Sequence, residues 1–324
     1  MLLAKVSSKI LTMQNMLEKQ DYTPHFSGHE TFPLRQMWLK KAFETRGQNG
    51  RVAKSDFTDD SAIAYFGVGK NMVASIKHWA LACGVFVEDE DSRTSFRISD
   101  DWSRILSDSE KGLDPFCEHP ATSWFAHWRL AACPVGKHRS TTWWWVFNNV
   151  LTPTFTRDEV QKQIAAYTLR KGVKASDATL RRDIEVCIRG YCPKPDSDVE
   201  DMAEPMLAEL GLILDEGNGN FSLRRGPKAS LPDGIFDIAL LEFWKGGGES
   251  SLAFESLAHA PGSPGRVFKL DENSLAERLF GLDARTNGIL FWTDSSGIRQ
   301  VMRREADADA LKNLAHSALS EAYK

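Results

Sequence analysis

Apolar residues recur at helical spacing in Leu34, Met37, Trp38, Ala42 and Phe43, directly after Pro33, a residue suited to a first helical turn. A polar loop, Gly47–Ser55, follows. Thr58, Asp59 and Asp60 then offer N-caps for a short apolar segment, Ala62, Ile63, Tyr65 and Phe66. After the turn Gly67-Val68-Gly69, a longer helix is predicted from Lys70 to Ala82, ending before Gly84. Val85–Val87 and Ser95–Ile98 read as strands joined by the polar turn Glu88–Arg93. Helix, short helix, glycine turn, longer helix and hairpin is the order of a winged helix-turn-helix. In that reading Val73, Ile76, Ala80 and Cys83 pack on Ile63 and Phe66. The opposite face presents Lys70, Asn71, Ser75, Lys77 and His78, groups of the kind that reach phosphates and base edges in a major groove.

The same order returns twice, less clearly. Thr156–Glu159 caps a helix holding Val160, Ile164 and Ala165. A basic loop (Arg170, Lys171, Lys174) leads to a second helix, Leu180–Ile188, whose polar faces carry Arg181, Arg182 and Arg189. Leu212–Leu214 and Phe221–Leu223 form a hairpin about Glu216–Gly219, where the glycines supply the positive φ of a tight turn. Further on, Ile235–Trp244 and Ser274–Leu282 read as helices, and Gly288–Trp292 with Ile298–Met302 as a third hairpin.

The predicted fold is therefore mostly α with small β-hairpins (α+β), built from tandem winged helix-turn-helix-like units. The expected domains are 22–107, a second winged-helix-like domain with a helical connector at 114–226, a third at 231–305, and a helical tail at 306–324. The connector is the tryptophan-rich stretch Trp124–Phe147, expected to bury its rings between units.

Composition narrows the class. Of 324 residues, 42% are hydrophobic and 26% charged, ordinary for a globular protein. No apolar run approaches the roughly 20 residues of a membrane span. The broken N-terminal stretch Met1–Glu18 does not read as a secretory signal, so a cytoplasmic protein is expected. Five cysteines at scattered spacings fit reduced thiols. A net charge of −4 argues against a chain coated in positive charge but leaves room for a local basic patch, since screening cuts off charges beyond about 10 Å.

No pattern of bond-making chemistry emerges. Gly67-Val68-Gly69-Lys70 lacks the first glycine and the hydroxyl residue of a phosphate-binding loop, because Ala64 and Asn71 stand there. His25, His29 and Glu30 lie close together but match no zinc template; capping, or docking of this segment on the first domain, is the expectation. Cys117 with His119, and Cys133 with His138, fit no standard metal spacing either. No enzyme activity, metal or cofactor is expected. Basic residues recur where a wing would meet phosphates, at Arg224, Arg225 and Lys228, and beside a glycine turn at Arg266 and Lys269.

Two N-terminal motifs, Phe26–Arg35 (FSGHETFPLR) and Gly67–Val73 (GVGKNMV), resemble an uncharacterised bacterial family of unknown function, as do Arg225–Lys228 (RGPK) and Ser263–Glu272 (SPGRVFKLDE). Members of that family occur beside phosphoadenosine-phosphosulfate-reductase-like proteins in DNA-phosphorothioation and anti-phage operons. The resemblance implies context, not chemistry. The leading expectation is a non-enzymatic component that contacts duplex DNA through Lys70, Asn71, Ser75, Lys77, His78, Arg181, Arg182, Arg224, Arg225, Arg266 and Lys269. The alternatives are an adaptor for the reductase-like partner and a repressor of its own operon.

Overall fold

The computed structural model describes residues 16–20, 22–108, 112–132, 140–193, 205–244, 250–295, 297–305 and 307–324. The paired cysteine and histidine at 133 and 138 lie outside these residues, as does all but the last part of the N-terminal stretch.

The described elements run as α1 (Trp38–Glu44), β1 (Arg51–Ala53), α2 (Ser61–Phe66), α3 (Lys70–Ala82), β2 (Phe86–Glu88), β3 (Ser95–Ile98), α4 (Asp100–Leu106), α5 (Pro120–Ala131) and α6 (Thr141–Asn148). Then come β4 (Thr154–Thr156), α7 (Arg157–Arg170), α8 (Asp177–Tyr191), β5 (Ile213–Gly217), β6 (Asn220–Leu223) and α9 (Asp233–Trp244). The last are β7 (Ser251–Ala253), α10 (Phe254–His259), α11 (Pro264–Val267), α12 (Glu272–Phe280), α13 (Leu282–Arg285), β8 (Leu290–Ser295), β9 (Ile298–Arg303) and α14 (Ala308–Glu321).

Among these elements are three small antiparallel sheets with one topology. In each, a three-residue strand precedes the helices, and the second strand of the later hairpin pairs with it, in the orders β1-β3-β2, β4-β6-β5 and β7-β9-β8. The α+β class expected from the sequence is thus observed. The leading strands are additions to it: Arg51–Ala53 falls inside the expected polar loop.

The chain divides into two compact units. The larger comprises Thr23–Val146 and Thr152–Leu223 and holds the first two sheets; the smaller takes Phe147–Leu151 and Arg224–Lys324 with the third. In the larger unit, Trp79, Trp102, Trp124, Trp128, Trp143 and Trp144 are all nearly inaccessible. Trp143 meets Trp79 edge to face with centroids 5.3 Å apart, and Trp102 lies 5.3 Å from Phe125, so the tryptophans are core packing.

Local rules account for most helix ends. Thr156–Glu159 caps α7 as expected, in the form of a capping box. Gly67 closes α2 in the left-handed region, at φ 64°, a conformation that costs glycine nothing. One packing expectation fails: Phe66 and Ala62 are buried, but Ile63 is 44% exposed. With only six residues, α2 turns Ala62 and Phe66 inward at i and i+4 and leaves Ile63 and Tyr65 outside. No described helix is long and apolar enough to cross a membrane.

Candidate nucleic-acid interface

The outward stripe of α3 is Lys70, Ala74 and Lys77, at i, i+4 and i+7, with Asn71 beside it. Lys70 and Asn71 are exposed at the first turn. Lys77 is half-buried, and its ammonium is shifted below its usual range, by burial first and by the neighbouring Lys54 second.

Ser75 and His78 depart from the expected surface. Both are buried, because the segment His25–Pro33 covers the C-terminal half of α3. Ser75 Oγ donates its one proton to the His29 carbonyl at 2.7 Å, with the Asn71 carbonyl also within reach at 3.0 Å. The indole of Trp79 donates to the Phe32 carbonyl at 3.1 Å. His78 stacks on His25 with centroids 6.4 Å apart and meets His29 edge-on at 5.7 Å. Neither Ser75 nor His78 can face a groove, and they are withdrawn as contact residues.

The same segment also grips α8. His29 Nδ1 accepts the Thr31 amide at 3.2 Å, so Nε2 carries the proton and donates it to Asp183 Oδ1 at 2.8 Å. That oxygen also accepts the Ser27 amide at 2.9 Å, and Arg189 donates to the Thr31 carbonyl. The backbone is forced into the left-handed region at Ser27 (φ 76°), Gly28 (95°), Glu30 (46°) and Thr31 (67°). At Gly28 there is no room for a side chain: a Cβ would lie 2.6 Å from His78 Nδ1. Burial holds the His25 imidazole below its ordinary value against the opposing pull of Asp183. This is the docking role expected of the segment, and both ring nitrogens of His29 are spent on it.

On α8, Arg181 and Arg182 are exposed neighbours with no ion-pair partner among the described residues. Arg157, by contrast, is paired with Glu185 at 2.6 Å. Arg224 and Arg225, just after β6, are exposed as well. Lys269 is buried, and Arg266 is half-buried with its guanidinium turned to backbone carbonyls. The Arg266 guanidinium donates to the Asn148 carbonyl, through Nε at 2.9 Å, and to the His259 carbonyl at 3.3 Å. Lys269 is 1% exposed and donates to the Phe147 carbonyl at 2.7 Å. Their residue types gave no warning of this; apolar Val267 and Phe268 between them pull the segment into the core. Lys269 therefore leaves the set of direct duplex contacts, as does Arg266.

The one group among the described residues with metal-ligand proximity is Glu255, His259 and Glu272, mostly exposed. Arg299 already sits on it, 2.6 Å from Glu255 and 3.7 Å from Glu272, and so supplies its counter-charge. Cys117 is a buried thiol whose pKa is pushed up to about 12, chiefly by burial, the opposite of an activated nucleophile.

Comparison with known proteins gives the setting. Among solved structures, one titled "Magnesium ion-bound SspB crystal structure" superposes with a TM-score of 0.80 at 26% identity, covering 93% of this chain and 89% of that one. A second, titled "SspB crystal structure", gives a TM-score of 0.79 at 26% identity with the same coverage. No curated protein matches. A family model described as a protein of unknown function (DUF4007) matches residues 26–323, nearly the whole chain. The chain is a member of that DUF4007 family.

Proposed function

We propose that this protein is a DNA-contacting component of a bacterial phosphorothioation-type defence system. In this reading each strand–helices–hairpin module is a winged helix-turn-helix. The first two meet duplex phosphates through Lys70, Asn71 and Lys77 on α3 and through Arg181 and Arg182 on α8; Arg224 and Arg225, in the smaller unit, are separate phosphate contacts. The observation that carries the reading is the adjacent pair Arg181–Arg182, exposed and without a carboxylate partner among the described residues. An Arg pair left unneutralised on the helix that precedes a hairpin suits phosphate recognition. The likeness to the SspB structures over most of the chain supports the placement in such a system, as does the family resemblance of the motifs. The role is positioning of DNA for partner proteins, without bond-making by this chain.

The test is duplex binding by the purified chain at low salt, with and without magnesium. Retarded, intact duplex is the expected result, abolished when Arg181 and Arg182 are both reversed to Glu. No binding at low salt overturns the DNA reading, and magnesium-dependent strand breakage overturns the non-catalytic part. A second reading, an adaptor for the reductase-like partner, is favoured by Ile63 and Tyr65, which stand 44% and 61% exposed on α2. Co-purification with that partner after nuclease treatment, abolished by Tyr65→Glu, would favour it.

A further inference from the structure

In the smaller unit, two segments distant in sequence are stitched together. The amide of Gly226, in Arg225–Lys228, donates to the Lys269 carbonyl at 3.0 Å. Lys269 itself holds a left-handed backbone at φ 54°. The stitch gathers Arg225, Lys228, Arg266 and Lys269; buried Lys228 and Lys269 and half-buried Arg266 are satisfied only by neutral acceptors. Lys228 is 7% exposed and donates to the carbonyls of Arg224 at 3.0 Å and Gly226 at 3.2 Å. Lys269 and Arg266 likewise meet only carbonyls. None of the four has a carboxylate at ion-pair distance among the described residues. The near acid, Asp271, caps α12 through Oδ1, which accepts the Ser274 amide at 2.7 Å, while its Oδ2 faces Gly226, so one negative charge stands against four cationic side chains.

Carbonyls satisfy hydrogen bonds without cancelling charge, so this cluster keeps a net positive field in a region of low dielectric. Two of the three Lys228 protons are used, which leaves one. Arg225 is exposed at the rim, its five donors uncommitted among the described residues.

We propose that the Arg225–Lys228 loop and the Arg266–Lys269 turn form a binding site for a phosphate-class oxyanion, with Arg225 and Lys228 as its direct ligands and Arg266 and Lys269 as the charges behind it. The site uses no residue of α3 or α8 and does not rest on their role; it shares only Arg225 with the duplex contacts proposed above. A backbone phosphodiester and a free phosphate ester present the same chemistry here.

The site should take up protons as it fills. Burial, then Arg224, Arg225 and Arg278, hold the Lys228 ammonium at about 8 against the pull of Asp271; Asp233, paired with Arg278, and Glu277 line the same cavity. Burial, then Arg266, Arg225 and Lys228, push Lys269 well below its ordinary value. A bound anion favours the charged form of both. Lys228 is charged below about pH 8 and must regain its proton above it, so affinity falls as pH rises, by up to about tenfold per pH unit for each proton taken up.

Isothermal titration of the full chain with inorganic pyrophosphate, and separately with a short DNA duplex, is the test. Pyrophosphate is expected to bind at pH 7, with affinity weaker at pH 9. Arg225→Glu, at an exposed position, should weaken it by about tenfold or more. Lys228→Met should do the same, and Arg181→Glu with Arg182→Glu should leave it unchanged. Competition between pyrophosphate and duplex assigns the oxyanion to the DNA backbone; pyrophosphate binding without competition assigns it to a free phosphate ester. Absence of pyrophosphate binding to the native chain, or binding that survives Arg225→Glu undiminished, overturns the proposal. Loss of duplex binding on α8 with pyrophosphate binding intact separates the two readings.

Discussion

Lys40 in the larger unit and Lys269 in the smaller are buried alike, at 2% and 1% exposure, yet their surroundings are opposite. Lys40 donates to the Leu106 carbonyl at 3.1 Å and faces two carboxylates, Asp108 and Glu44. Lys269 donates to one carbonyl and feels the like charges of Arg266, Arg225 and Lys228. The His29–Asp183 pair belongs with Lys40, since donors meet acceptors inside the fold. Burial of a polar side chain therefore says little by itself. A matched group holds structure, whereas a buried charge left uncancelled is stabilised by what binds.

That contrast can be broken from the matched side first. Asp183→Ala removes the acceptor of both the Ser27 amide and the His29 imidazole, and should cost about 2–4 kcal/mol, because it leaves two donors without a partner. Denaturant unfolding reads it, and a loss under about 1 kcal/mol would mean the segment is not held as described. Gly28→Ala comes next. It places a Cβ against His78 at a positive φ, so about 1–3 kcal/mol is expected from backbone strain alone, with a lowered Tm as the readout. Lys269→Met should change stability by no more than about 1 kcal/mol, because relief of the buried charge offsets the unpaired Phe147 carbonyl. A large destabilisation would place Lys269 with Lys40 as a structural group.

A smaller effect concerns pH. The imidazole of His25 titrates below its ordinary 6.5 in the folded protein, so the unfolded chain binds the proton more readily. Stability should fall as pH drops through that value, and His25→Asn should flatten the profile. A native profile already flat between pH 7 and pH 5 would contradict it.

Much of the local structure was legible in the sequence. The predicted helix Lys70–Ala82 is observed with those ends, and Thr156–Glu159 caps its helix as expected, in the form of a capping box. These features depend on neighbours within a few residues. The first strand of each sheet was not legible. At three residues, Arg51–Ala53 shows no alternation, and it pairs with Ser95–Arg97 across two intervening helices. Ser75 and His78 were misplaced for a related reason. Polar types on the face opposite the core read as solvent-facing, and the cover over them comes from a segment more than forty residues earlier. Gly28 and the strained turn around it are the signal that such a close approach leaves in sequence. Lys269 was equally opaque, since nothing local marks a lysine as buried.

Duplex contact through α3 and α8 is read out by the salt dependence of duplex affinity. The native chain should bind far more weakly as salt rises. Arg181→Glu with Arg182→Glu should flatten the slope by about 0.9 log units per tenfold salt for each phosphate no longer neutralised. An unchanged slope in that variant and in Lys70→Glu with Lys77→Glu would contradict it.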